Sequence, residues 1–122
     1  MSRNRIEDLE ALRRRLAAFA RERDWDQFHS PKNLAMALIA ECAELVEHFQ
    51  WLGAEESTAL GEDKKAAVRL ELADILIYLV RIADKLDIDL LAAAADKITI
   101  NEERYPAERV RGDARRASEY EI

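Results

Sequence analysis

Apolar residues recur at three- and four-residue steps along most of the chain. Ile6, Leu9, Leu12, Leu16 and Phe19 share one stripe between Arg and Glu, which predicts an amphipathic helix over residues 5–23. The stretch RDWDQFHSPKN breaks that period, and its Ser30-Pro31 pair has the form of a helix cap and first helical position. A second helix is predicted over 31–51 on Leu34, Leu38, Leu45 and Phe49, followed by the loop GAEESTALGED, bounded by Gly53 and Gly61. A third, over 63–86, carries Val68, Leu72, Ile75, Leu76, Leu79, Ile82 and Leu86. Asp87 or Asp89 caps a fourth, which Pro106 stops near Tyr105.

These elements predict an all-α fold, a four-helix bundle spanning residues 1–106. Residues 107–122, with four Arg, four acids and little periodicity, read as a loosely ordered, charged C-terminal tail. The segment DILIYLV is apolar almost all round, so it wants cover on more than one side. A homo-oligomer, tetramer or dimer, whose second chain completes the core is therefore expected.

Composition narrows the functions. With 122 residues the chain is the size of one domain. A net charge of −6 repels a nucleic-acid backbone, so no nucleic acid is expected as a partner. A free nucleotide is different, because a divalent cation reverses the local sign. The single Cys42 forms no internal disulfide, the N-terminus has no signal-peptide core, and no apolar run is long enough for a membrane span. A cytoplasmic protein without membrane attachment is the expectation.

Carboxylates interrupt two of the apolar helices. Glu41 and Glu44 are three residues apart on the second helix, and Glu47 extends that line; Glu71 and Asp74 repeat the device on the third. Isolated carboxylates are costly to bury, and neighbouring like charges raise one another's pKa. A hard divalent cation offsets both costs, since Mg²⁺ and Mn²⁺ prefer oxygen ligands and keep positions open for water or phosphate. A solvated acidic face is the competing reading. No HExxH, paired Cys, Glu-x-x-His or GxxxxGK[ST] motif points to another metal or phosphate site.

The motif ExxE at 41–44, a gap of 26 residues and ExxD at 71–74 resemble the signature of the all-α nucleoside triphosphate pyrophosphohydrolases, the MazG-like superfamily. The words RDWDQFHSPKNLAMAL, AECAELVEHFQW, LELADILIYLVRIADKLDIDL and KITINEERYP, in that order, resemble its dCTP pyrophosphatase branch. The resemblance covers residues 23 to 106. It implies cleavage of a triphosphate, dCTP or a modified dCTP, to monophosphate and pyrophosphate, in the service of nucleotide-pool sanitation. It also implies Mg²⁺, with Mn²⁺ as a substitute, held by Glu41, Glu44, Glu71 and Asp74. Either Glu44 or Glu47 would take the proton of the attacking water, beside Glu41.

Spacing and side-chain chemistry give other residues candidate roles beside this resemblance, against the plainer readings of a solvated Lys/Arg edge paired with Glu102 and Glu103 and of Trp residues in ordinary core or interface packing. Lys97, Asn101 and Arg104 share a face of the fourth helix, and would meet phosphate or sugar. Trp25 and Trp51, with Phe28 in a lesser part, offer rings for base stacking. His29 would donate to base or phosphate, or else cap the turn before Ser30. Tyr78, one turn beyond Asp74, would pack against the deoxyribose. Two rival readings stay open: the same reaction on another base such as dUTP, and a non-catalytic nucleotide-binding helical module.

Overall fold

The computed structural model describes residues 5–119 and divides into two compact units, Met1–Ile88 and Asp89–Ile122. The fold is all-α, and the described residues contain no strand.

The first unit holds α1 (Leu9–Glu22), α2 (Pro31–Glu47) and α3 (Glu62–Lys85). α3 packs along α2 and also against α1. The helix starts are set by side-chain caps. The Asp8 carboxylate accepts from the Ala11 amide at 2.7 Å, so α1 begins at Leu9 rather than at residue 5. The Ser30 hydroxyl accepts from the Asn33 amide at 3.1 Å, and Pro31 opens α2 as expected. α2 ends at Glu47, four residues before the predicted limit, and residues 48–52 continue as turns.

α1 and α3 end alike. Asp24 and Asp87 adopt left-handed φ of 55° and 54°. The amides three places beyond each helix then reach back five residues, Trp25 to the Ala20 carbonyl at 2.9 Å and Ile88 to the Ala83 carbonyl at 2.8 Å. At α1 this turn fixes the direction in which Trp25 leaves the helix.

Few apolar side chains are buried: Ala20 from α1, Leu34 from α2, and Val68, Val80 and Ala83 from α3. Large apolar groups stand exposed on the same helices, among them Met36, Ile39 and Val46 of α2 and Leu72, Leu76 and Leu79 of α3.

The second unit contains α4 (Leu90–Arg104), capped by Asp89, whose carboxylate accepts from the Ala92 amide at 3.0 Å. Of the two residues proposed for that cap, Asp89 fills it, while Asp87 serves the end of α3. The segment read as a loose tail holds a four-residue helix, α5 (Ala107–Val110), and a 3-10 turn at Ala117–Glu119. The Tyr105 hydroxyl accepts from the Ala117 amide at 3.2 Å.

Candidate metal and nucleotide site

α2 and α3 bring three of the predicted acids together. Glu41 and Glu44 of α2 and Glu71 of α3 each present a carboxylate oxygen within 4.8 Å of the other two. Glu41 and Glu71 are half-buried and Glu44 is exposed. The second oxygens of Glu41 and Glu71, both Oε2, are sealed from solvent and have no hydrogen-bond partner. Buried acceptors are ordinarily satisfied, so a pair of orphaned carboxylate oxygens marks a place built for a cation.

The electrostatics agree. The Glu41 carboxyl is pushed up to about 7, first by burial, then by a side-chain hydrogen bond with Glu44 and by the charges of Glu44, Asp74 and Glu71. Glu71 is raised by burial and by the same neighbour, Glu44. Without a cation, the cluster holds protons that free carboxylates would have lost. An oxygen-only donor set of three carboxylates fits Mg²⁺ or Mn²⁺, and the orphaned oxygens are the observation that supports the fit.

Asp74 stands apart from that three-way cluster, although the sequence spacing grouped it with Glu71. It lines a neighbouring cleft of about 720 Å³, a volume in the range of small-ligand sites. α1 contributes Leu12, Leu16 and Phe19 to this cleft, the connector Trp25 and His29, and α3 Asp74, Tyr78 and Arg81. Trp25 stands edge-on to Phe19, with ring centroids 5.7 Å apart. The Tyr78 phenol is raised by burial and then by the charges of Glu41 and Asp74. Acid cluster and cleft therefore share the α3 wall and feel each other's charge.

Two residues beside the site escaped the sequence reading. The first is Arg81, 4% exposed and the one charged residue buried among those described. Its guanidinium donates to Asp26 at 3.1 Å and Asp84 at 3.3 Å, and both Nε and Nη2 lie against His29 Nδ1, at 3.3 and 3.1 Å. Lys85 donates to Asp26 at 2.7 Å and Arg13 to Asp84 at 3.0 Å, closing the network. Its signal was the series Asp74, Tyr78, Arg81 at steps of four and three, one face of α3. The second is His48, whose Nε2 lies 3.9 Å from Glu71 Oε1 and which follows Glu44 by four residues.

The cluster and the cleft leave out some predicted residues of the first unit. Glu47 is exposed and outside the three-acid cluster. Phe28 and Trp51 are exposed, Trp51 at 87%, and neither lines the cleft. Lys97, Asn101 and Arg104 are exposed on α4 of the second unit, with the Arg104 guanidinium 5.7 Å from the Tyr105 ring.

Known proteins resemble this chain in fold and sequence. A pyrophosphatase of Archaeoglobus fulgidus matches the fold with a TM-score of 0.77 and 36% identity, covering 87% of this chain and 99% of that one. This is an all-α fold of the pyrophosphatase kind. Residues 37–119 match the model of the MazG-like family, and the chain belongs to that family. dCTP pyrophosphatase 1 of Homo sapiens is 46% identical over 113 residues, which cover 91% of this chain and 66% of that protein. The Bos taurus protein of the same name is 48% identical over 108 residues, 87% of this chain and 64% of that one. The chain thus spans about two thirds of the length of these curated relatives.

Proposed function

We propose that the protein is a divalent-metal-dependent pyrophosphohydrolase that cleaves a deoxynucleoside triphosphate, dCTP or a modified dCTP, to the monophosphate and pyrophosphate. The observation that carries the reading is the convergence of Glu41, Glu44 and Glu71, two of them with orphaned buried oxygens, beside a largely apolar cleft of nucleotide size. The relatives named dCTP pyrophosphatase 1 support the choice of base.

Glu41, Glu44 and Glu71 hold the cation, with Asp74 on the cleft side of the cluster. Mg²⁺ or Mn²⁺ bound there would neutralise phosphate oxygens and lower the pKa of an attacking water. Glu44, the exposed member, with a carboxylate oxygen within 4.8 Å of both Glu41 and Glu71, is the group that takes the water's proton. Geometry favours it over Glu47, which lies outside the cluster. In the cleft Trp25 stacks on the base, His29 donates to it, and Tyr78 packs on the sugar. Lys97, Asn101 and Arg104 are retained as the phosphate-binding set on spacing and resemblance alone.

A homo-oligomer belongs to the same proposal. The exposed Met36, Ile39 and Val46 of α2 and Leu72, Leu76 and Leu79 of α3 need cover that this chain's small buried core does not explain. Light scattering that returned a monomer would remove this part.

The reaction is tested by pyrophosphate release with Mg²⁺ across a panel of ribo- and deoxynucleoside triphosphates. Turnover greatest with dCTP or a 5-substituted dCTP supports the reading. Turnover greatest with dUTP or a damaged purine keeps the reaction and changes the base. Tight binding without turnover of any member overturns catalysis.

A further inference from the structure

Arg81 has a task that packing does not account for. Burying a guanidinium is expensive unless every donor is used, and hydrophobic residues of the same volume would serve a helix better. Here the donors are spent on Asp26, Asp84 and one ring nitrogen of His29. Arginine has donors only and does not deprotonate in proteins. His29 Nδ1, lying against both Nε and Nη2, must therefore accept. A proton on Nδ1 would face the guanidinium, so the ring is neutral and carries its hydrogen on Nε2. Because Nδ1 is occupied, Nε2–H is the nitrogen left for a molecule in the cleft that His29 lines.

We propose that Arg81 is a positioning residue: clamped between Asp26 and Asp84, it locks His29 as the Nε2–H tautomer and so makes it a fixed donor for a base that presents an unprotonated ring nitrogen. The proposal rests on the reading of the cleft as the base site. The lock has a specificity consequence. A donor that cannot become an acceptor rejects a base offering N–H at the same place, because two donors would then meet unpaired. Cytosine N3 accepts where uracil and thymine N3–H donates.

The charges around His29 suit this role. From α3, Arg81 and Lys85 disfavour its protonation; Asp26, in the turn before it, opposes them; burial favours the neutral ring most of all. Asp74, Tyr78 and, from α1, Arg15 share the cleft lining.

The test is a long-range ¹H–¹⁵N correlation spectrum of the whole protein in the absence of nucleotide, followed from pH 8 to 5. The chain has two histidines, and the His29 signals are those lost in His29→Gln. The expected result is an unprotonated Nδ1 and a protonated Nε2 that persist below the usual histidine midpoint of about 6.5. In Arg81→Met the ring becomes a mixture of tautomers and titrates near that ordinary value. Kinetically, Arg81→Met raises KM for dCTP about 2- to 10-fold, the effect of one hydrogen bond, and leaves kcat within about twofold. A glutamine amide occupies the Nε2 position as a donor without help from Arg81. In a His29→Gln background the Arg81 change therefore leaves KM unmoved, whereas a merely structural role would raise it in both backgrounds. If Arg81→Met does not fold, Arg81→Lys takes its place in each comparison, since it keeps the charge but not the fork that reaches Nδ1 and both carboxylates. An Nδ1–H tautomer in the wild-type protein, or a tautomer and KM indifferent to Arg81, overturns the proposal. The spectrum needs no turnover, so a protein that hydrolyses no triphosphate but shows the locked tautomer contradicts the proposed reaction rather than the Arg81–His29 coupling.

Discussion

Glu41 on α2 and Glu71 on α3 face each other with their Oε2 atoms both closed to solvent and both without a partner. Two half-buried acids in that relationship repel unless a proton or a cation lies between them. Replacing either by the neutral isostere is expected to remove the cation site while relieving the repulsion. Glu41→Gln and Glu71→Gln should each lower Mg²⁺-dependent pyrophosphate release about 100-fold or more, with an unchanged helical CD spectrum. Retained activity in both would remove the cluster from the mechanism.

Metal-free stability should fall with rising pH. Glu41 has a folded pKa of about 7 against an ordinary value of 4.5, so the folded state binds its proton more tightly than the unfolded chain does. The stabilisation from that proton is complete below about pH 4.5 and is lost as pH rises to 7. Differential scanning calorimetry in EDTA should show Tm declining across this window. Saturating Mg²⁺ should restore Tm at pH 7.5, where the carboxylates are free to bind it. Glu41→Gln should flatten the EDTA profile and weaken the response to Mg²⁺.

Trp25 should act on nucleotide binding more than on the chemical step. Its ring lines the cleft but is 46% exposed, so its removal costs the fold little. Loss of a stacking surface is worth about 1–3 kcal/mol, which is roughly a 5- to 150-fold rise in KM. Steady-state kinetics of Trp25→Ala should show that rise with kcat changed far less. The same substitution at Trp51, 87% exposed and outside the cleft, separates base contact within one chain from a role elsewhere.

The left-handed Asp87 offers a stability test at a residue outside the cluster and the cleft. Asp87 holds a φ of 54° at the end of α3, a region that costs an L-residue energy and a glycine almost none. Asp87→Gly should stabilise the protein by about 0.5–1 kcal/mol, a rise in Tm of about 2–4 °C. Asp24→Gly should gain less, because the Asp24 carboxylate accepts from Gln27 at 3.0 Å.

Much of this was legible in the residues. The apolar period located α1 to α4, and Ser30-Pro31 marked the start of α2 because cap chemistry is local. The start of α1 was misplaced because Ile6 continues the apolar stripe, while the Asp8 side chain decides where hydrogen bonding begins. The i, i+3 rule put Glu41 and Glu44 together and brought Glu71 to them. It could not separate Glu71 from Asp74, because one face of a helix meets different neighbours at successive turns. Three residues further along α3, about 4.5 Å of rise, Asp74 lines the cleft while its charge still raises Glu41. Arg81 was overlooked because a single Arg in an apolar helix reads as an exposed one. Its burial depends on Asp26 and Asp84, and Asp26 lies 55 residues away.

The most direct test is Mn²⁺ binding at pH 7.5 without nucleotide, followed by electron paramagnetic resonance in the wild-type protein, Glu41→Gln and Glu71→Gln. Saturable binding by the wild type, weakened about tenfold or more in each variant, is the expected result. Equal affinity in all three proteins would mean that these facing carboxylates do not hold the ion, and the account of the site would be wrong.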